Sequence, residues 1–131
     1  MYRSIVNPWT WQAGYGYVQG VDVRNPTQQV FVAGQCSVDA DGRAQHAGDM
    51  AKQLLAALEN VDQVLDAAGL RLSDVVHMRL YVTDIAQYFA ALTTFTDRLH
   101  AAGCRAAGTL VQIGALALPD LLVEIEVVAA T

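Results

Sequence analysis

The chain has 131 residues, is 53% hydrophobic and 16% charged, and carries a net charge of −5; an ordinary soluble domain is about 25% charged. That length suits one domain spanning 1–131, and that apolar content excludes a disordered chain. One lysine, Lys52, and seven scattered arginines exclude a polybasic nucleic-acid or membrane-surface contact, and no apolar run reaches the ~18 residues of a spanning helix.

Tyr15, Tyr17, Gln19 and Val21 alternate with smaller residues and read as a strand, closed by a turn at Arg24-Asn25-Pro26. An additional strand nearer the N-terminus is compatible with this pattern. Gln29 to Gly34 reads as the next strand, and Asp39-Ala40-Asp41-Gly42 as a tight turn. Met50, Leu54, Leu58, Val61 and Leu65 then recur at spacings of three and four, which predicts a long helix. Asp49 is its expected N-cap and Gly69 its expected terminator. Val76, Met78, Leu80 and Val82 alternate with His77, Arg79 and Tyr81, a half-buried strand. Asp84 caps a second helix with the stripe Ile85, Phe89, Leu92, Phe95 and Leu99, ended by Gly103. Thr109 to Ile113 and Leu121 to Ala129 read as the last two strands.

The expected order is β-β-α-β-α-β-β. Helices between strands require at least one parallel pair in a mixed sheet, an α+β architecture. Two helices cover one face only. The other face gathers Glu124, Glu126, His77, Arg79 and Tyr81 among apolar groups, too polar for a dry core and too apolar for open solvent. A subunit interface with built-in polar groups fits it best.

Most familiar constellations fail. Gly14-Tyr15-Gly16 is followed by Gly20, one place too late for a dinucleotide fingerprint. His46, His77 and His100 lack zinc-ligand spacing, Asp39 to Gly42 lacks the later ligands of a calcium loop, and Ser4, Ser37 and Ser73 sit in no nucleophile elbow. Cys104 precedes Arg105, so a reactive thiol is conceivable, although a structural thiol is the commoner outcome for it and for Cys36. Trp9 and Trp11 either line a pocket or anchor the N-terminal strand. Glu124 and Glu126 point the same way from one strand; they either activate water or meet arginines such as Arg79. Met1 to Trp11 lacks the basic start and apolar block of a signal peptide, and two cysteines fit a reducing compartment. A cytoplasmic protein is expected.

Several segments, taken in order, resemble the RidA (YjgF) family. They are Tyr17-Val18-Gln19-Gly20-Val21, Ala33-Gly34-Gln35, Asp41-Gly42, a helix carrying Gln53, Asn60 and Ala68-Gly69, Tyr81-Val82-Thr83-Asp84, and Leu122-Val123-Glu124-Ile125-Glu126. The resemblance implies a chorismate-mutase-like sheet with two helices on one face. It implies a homotrimer around a central barrel, with pockets between subunits that take a small molecule. It also implies hydrolysis of reactive imines and enamines to keto acids and ammonia, without a metal or organic cofactor. Tyr17 and Glu124 match the family's catalytic positions, and Gly34 and Gln35 match the ligand-binding turn. Ala33 stands where many members have serine. Allowing one extra residue in Ala115 to Pro119, the substrate-binding arginine falls on Gly108 and a neighbouring cysteine on Leu110. A charge-assisted contact of that kind is worth ~1.5–3 kcal/mol, so its loss implies an altered substrate range, or a binding protein without deaminase activity. Arg79 and Arg105 are the candidates to replace it. RNA cleavage, a label some members carry, fits the acidic chain poorly.

Overall fold

The computed structural model describes all residues, 1–131. β1 (Tyr2–Val6) and β2 (Gly20–Arg24) pair antiparallel as a separate two-stranded sheet. The main sheet contains β3 (Gln29–Cys36), β4 (Val75–Val82), β5 (Ala107–Gln112) and β6 (Val123–Ala130), in the order β3-β6-β4-β5. β4 and β5 are parallel and the other neighbours antiparallel, so the mixed α+β sheet is as expected. α1 (Met50–Ala67), α2 (Ile85–Ala90) and α3 (Leu92–Ala101) supply the helical layer.

The long helix forms for the reasons its sequence offers. The Asp49 carboxylate accepts from the Lys52 N–H at 3.0 Å, which satisfies an otherwise orphaned donor. Gly69 takes a left-handed φ of 79°, and Leu70 N–H returns to the Leu65 carbonyl at 2.9 Å, closing the helix in a Schellman turn. Gly103 closes α3 the same way, with Cys104 N–H donating to the Leu99 carbonyl at 3.0 Å. Leu54, Leu58, Val61 and Leu65 are fully buried against Val75, Val123 and Ile125 of the sheet. Gln53 is buried with them. Its amide donates to the His46 and Asp120 carbonyls at 3.1 and 2.8 Å, and its oxygen accepts from Leu122 N–H at 2.8 Å.

Three local readings need correction. The first strand does not include Tyr15, Tyr17 or Gln19. Ala13–Tyr15 is a 3-10 turn, Gly16 follows at φ 82°, and only Val18 bridges the sheet, to Ala107. The additional N-terminal strand exists as β1, and Arg3 on it donates to the Ser73, Val75 and Arg105 carbonyls at 2.7, 2.9 and 3.0 Å. The second helix is divided at Ala91; Phe95 is buried as expected, but in the first part Tyr88, not Phe89, is the buried aromatic: 3% exposed against 45%. Spacing alone cannot separate the two, because i+3 and i+4 both follow Ile85. Finally, a register shift between Val75 and His77 in β4 puts Val75, rather than Val76, into the core.

Candidate functional site

Partners in register share a face, so β4 and β6 sort their side chains cleanly. Leu80 pairs with Ile125 and Met78 with Val127 on the helix-covered face. Tyr81 pairs with Glu124 and Arg79 with Glu126 on the open face. There the Tyr81 hydroxyl donates a short bond to Glu126, and Arg79 Nη1 donates to the same carboxylate at 3.4 Å. The hydroxyl bond holds the Glu126 carboxyl below the usual carboxylate range, helped by Arg79, and the same bond raises the Tyr81 phenol. Glu126 is thus engaged by an arginine, one of the two readings of this pair.

Glu124 is different. It takes part in none of the chain's ion pairs. Its side chain lies across Gly34 of β3, where any Cβ would overlap it. The close approach is possible because β3 bulges at Ala33 and Gly34, between the pairs Val32–Val127 and Gln35–Ile125. Cys36 then pairs with Glu124. Burial pushes its thiol up to about 11, with the charge of Glu124 adding to the effect. Gly34, Tyr81, Ile113, Glu124 and Glu126 border a recess of about 360 Å³.

A second, larger cavity of about 470 Å³ lies at the β5 edge, on the helix side. Gly108 and Leu110, in register with Met78 and Leu80, form its sheet wall. Tyr88, Phe95 and Leu99 form its helix wall, and Trp11 and Tyr17 close it from the N-terminal segment. That segment passes close over α3, since a Cβ on Gly16 would sit 2.6 Å from Thr96 Cγ2. No charged side chain lines this cavity. Burial alone pushes the Tyr88 phenol up to about 12, and burial pushes Cys104 up to about 11 despite Arg3 and Arg98. Cys104 is therefore held as a neutral thiol, the structural alternative.

The expected site residues divide between these two places. Tyr17, Gly108 and Leu110 line the cavity; Gly34 and Glu124 line the recess on the opposite face. Ala33 and Gln35 line neither. Ala33 is exposed, and the Gln35 amide donates to the Ala33 carbonyl at 3.1 Å. Within one chain, then, Tyr17 and Glu124 do not meet. Neither candidate arginine reaches the cavity: Arg79 pairs with Glu126 on the open face, and Arg105 is exposed, ahead of β5. Gly108 has no left-handed φ, and a Cβ there would meet Tyr17 Cβ at 3.4 Å and the Met78 carbonyl at 3.5 Å, ordinary contacts. Of the two tryptophans, Trp11 lines the cavity and meets the Tyr17 ring in a T-shaped contact, centroids 6.3 Å apart. Tyr15 and Phe89, which complete the rim, carried no distinguishing sequence signal beyond their aromaticity. No three His, Cys, Asp or Glu side chains gather as a metal-ligand group, and no helix is long and apolar enough to cross a membrane.

Residues 10–131 match the family model described as endoribonuclease L-PSP. The chain is 33% identical over 120 residues to a 2-iminobutanoate/2-iminopropanoate deaminase of Salmonella typhimurium, covering 86% of this chain and 85% of that one. It is 34% identical over 100 residues to the 3-aminoacrylate deaminase RutC of Acinetobacter baylyi, covering 76% and 77%. Among solved structures, the Rid-family protein YyfB of Yersinia pestis superposes over 100% of both chains, with a TM-score of 0.87 and 31% identity. Escherichia coli TdcF with bound serine superposes over 88% of this chain and 87% of its own, with a TM-score of 0.71 and 30% identity.

Proposed function

The chain belongs to the endoribonuclease L-PSP (RidA/YjgF) family, and from that premise we propose that it hydrolyses reactive imines or enamines to carbonyl compounds and ammonia, with a substrate range altered at Gly108. The observation that carries this reading is Glu124, free of any ion pair and held over Gly34 at the edge of a recess. A carboxylate so placed can orient a water and take its proton. The water oxygen bonds to the imine carbon, the imine nitrogen is protonated, and the C–N bond of the resulting carbinolamine breaks to release ammonia. Tyr17 packs against the substrate in the cavity, and backbone groups around Gly34 and Gly108 border its path.

Such a reaction needs Tyr17 and Glu124 on one substrate. A homotrimer supplies that, by setting the β5-edge cavity of one copy against the open sheet face of the next. Two free cysteines fit a reducing, cytoplasmic setting. The test is to generate 2-iminopropanoate and uncharged imines in situ and follow their loss. Acceleration over buffer that disappears in Glu124→Gln is the expected result. No acceleration with any imine overturns the reading.

A second reading has its own support. With no arginine in the cavity and alanine at position 33, the chain is a trimeric small-metabolite binder without deaminase activity. Ligands that raise the melting temperature without turnover of any imine would establish it. Salt-sensitive RNA binding by the pure protein would count against both.

A further inference from the structure

We propose that the β5-edge cavity seats an uncharged aromatic group, so that the imines this protein takes are aryl-bearing and lack the carboxylate of amino-acid-derived imines. This rests on the deaminase reading and names the substrate class of that site. Twelve of the fifteen residues lining the cavity are hydrophobic, and none carries a charge. A carboxylate entering it would give up its hydration with no cation from this lining in return, and the Arg79 of the open sheet face is already paired with Glu126. The volume, about 470 Å³, lies in the range of small-molecule sites. It exceeds what a three- or four-carbon keto acid fills.

The walls favour a ring over an alkyl chain. Tyr88 meets Phe95 edge-on at 6.2 Å and Phe89 at 5.5 Å, and Phe89 meets Tyr15 at 6.0 Å. A further ring joins such an array by the same edge-to-face attraction. Trp11, Tyr15 and Phe89 stay 66, 47 and 45% exposed at the mouth, so apolar surface remains for a ligand to cover. Tyr88, buried at 3% exposure, contributes its ring to that wall. At the position aligned with the family's arginine, Gly108 adds only backbone to the cavity wall.

Two measurements on the full chain test this separately from the chemistry. The first is binding of acetophenone, the ketone that an aryl ketimine yields, against phenylglyoxylate, which adds a carboxylate to the same ring. Thermal shift and tryptophan fluorescence both report it, since Trp11 lines the site. Acetophenone at least tenfold tighter than phenylglyoxylate is expected. Equal or reversed preference overturns the proposal even if 2-iminopropanoate is hydrolysed, in which case the deaminase reading stands alone. Acetophenone binding without turnover of any imine upholds the aromatic seat and removes the deaminase reading. The second measurement uses Gly108→Arg, which is expected to reverse the preference at least tenfold toward phenylglyoxylate. If that variant does not fold, Leu110→Trp, which fills the cavity, must weaken acetophenone at least tenfold; unchanged affinity places the ligand elsewhere and overturns the proposal. A cavity filled instead by a neighbouring copy would show as no ligand response at all, which overturns it too.

Discussion

Glu124 lies in the space that any side chain at Gly34 would need: a Cβ there would sit 2.7 Å from the glutamate Cδ and 2.9 Å from its Cγ. Glycine at 34 and glutamate at 124 are therefore one device, with the bulge in β3 as its mount. Gly34→Ala must push the carboxylate aside, and a flexible glutamate can yield without unfolding the sheet. The variant is expected to keep its melting temperature within a few degrees and to lose turnover about tenfold to a hundredfold, the cost of a displacement on the order of 1 Å. Comparing kcat on the best wild-type imine with thermal unfolding checks this. Unchanged kcat would separate Glu124 from the chemistry.

Gln53 is a buried polar support between the start of α1 and the segment that leads into β6. Gln53→Ala leaves the His46 and Asp120 carbonyls and the Leu122 N–H without their partner. Each unsatisfied buried group costs ~1–3 kcal/mol. A loss of about 3 kcal/mol or more in urea unfolding is expected, whereas a loss under about 1 kcal/mol would mean that water replaces the amide.

The fold holds both thiols in their neutral form. Cys36 and Cys104 are each raised from 9.0 to about 11, so a disulfide reagent at neutral pH should label them slowly in the native protein and rapidly in denaturant. Fast native labelling would contradict their burial.

The same groups set an alkaline limit on stability. Each is an acid whose value is raised on folding, so its contribution is intact below the unfolded value and fades as pH climbs to the folded one. For the thiols that window runs from 9.0 to about 11, and for Tyr88 from 10.0 to about 12. The melting temperature should fall steadily from pH 9 to 12. A flat profile would contradict it.

Assembly is testable on its own. Phe31 is 74% exposed and shares the open face with Val128, its partner in register. Sedimentation of the wild type should give about three times the 14.1 kDa chain mass, and Phe31→Glu should shift it toward one. A wild-type monomer would remove the shared site.

Much of this was legible in the sequence because single residues announced it. Asp49 and Gly69 bracket α1, and the alternation around Glu124 sorts β6 into two faces. The polar open face followed from the same alternation. What stayed hidden depends on long-range geometry. Tyr17 lies outside a strand because Gly16 turns the chain over Thr96, a contact between residues eighty positions apart. Tyr88 and Phe89 exchange roles because spacing cannot choose between neighbours. The separation of Tyr17 from Glu124 depends on which side of the sheet the segment carrying Tyr17 crosses, and no local pattern near Tyr17 encodes it.

The bulge at Ala33 and Gly34 also changes what a deletion would do. Val32 stands opposite Val127 and Gln35 opposite Ile125, so three steps along β3 are matched by two along β6. In a regular strand, losing one codon throws every later side chain onto the wrong face. Here it would make the count even, and the pairs on both sides could persist. The sheet would survive with its faces intact, and only the space over which Glu124 lies would be gone. One residue in this strand is therefore surplus to the pairing, and what it supplies is the room that Glu124 occupies over Gly34.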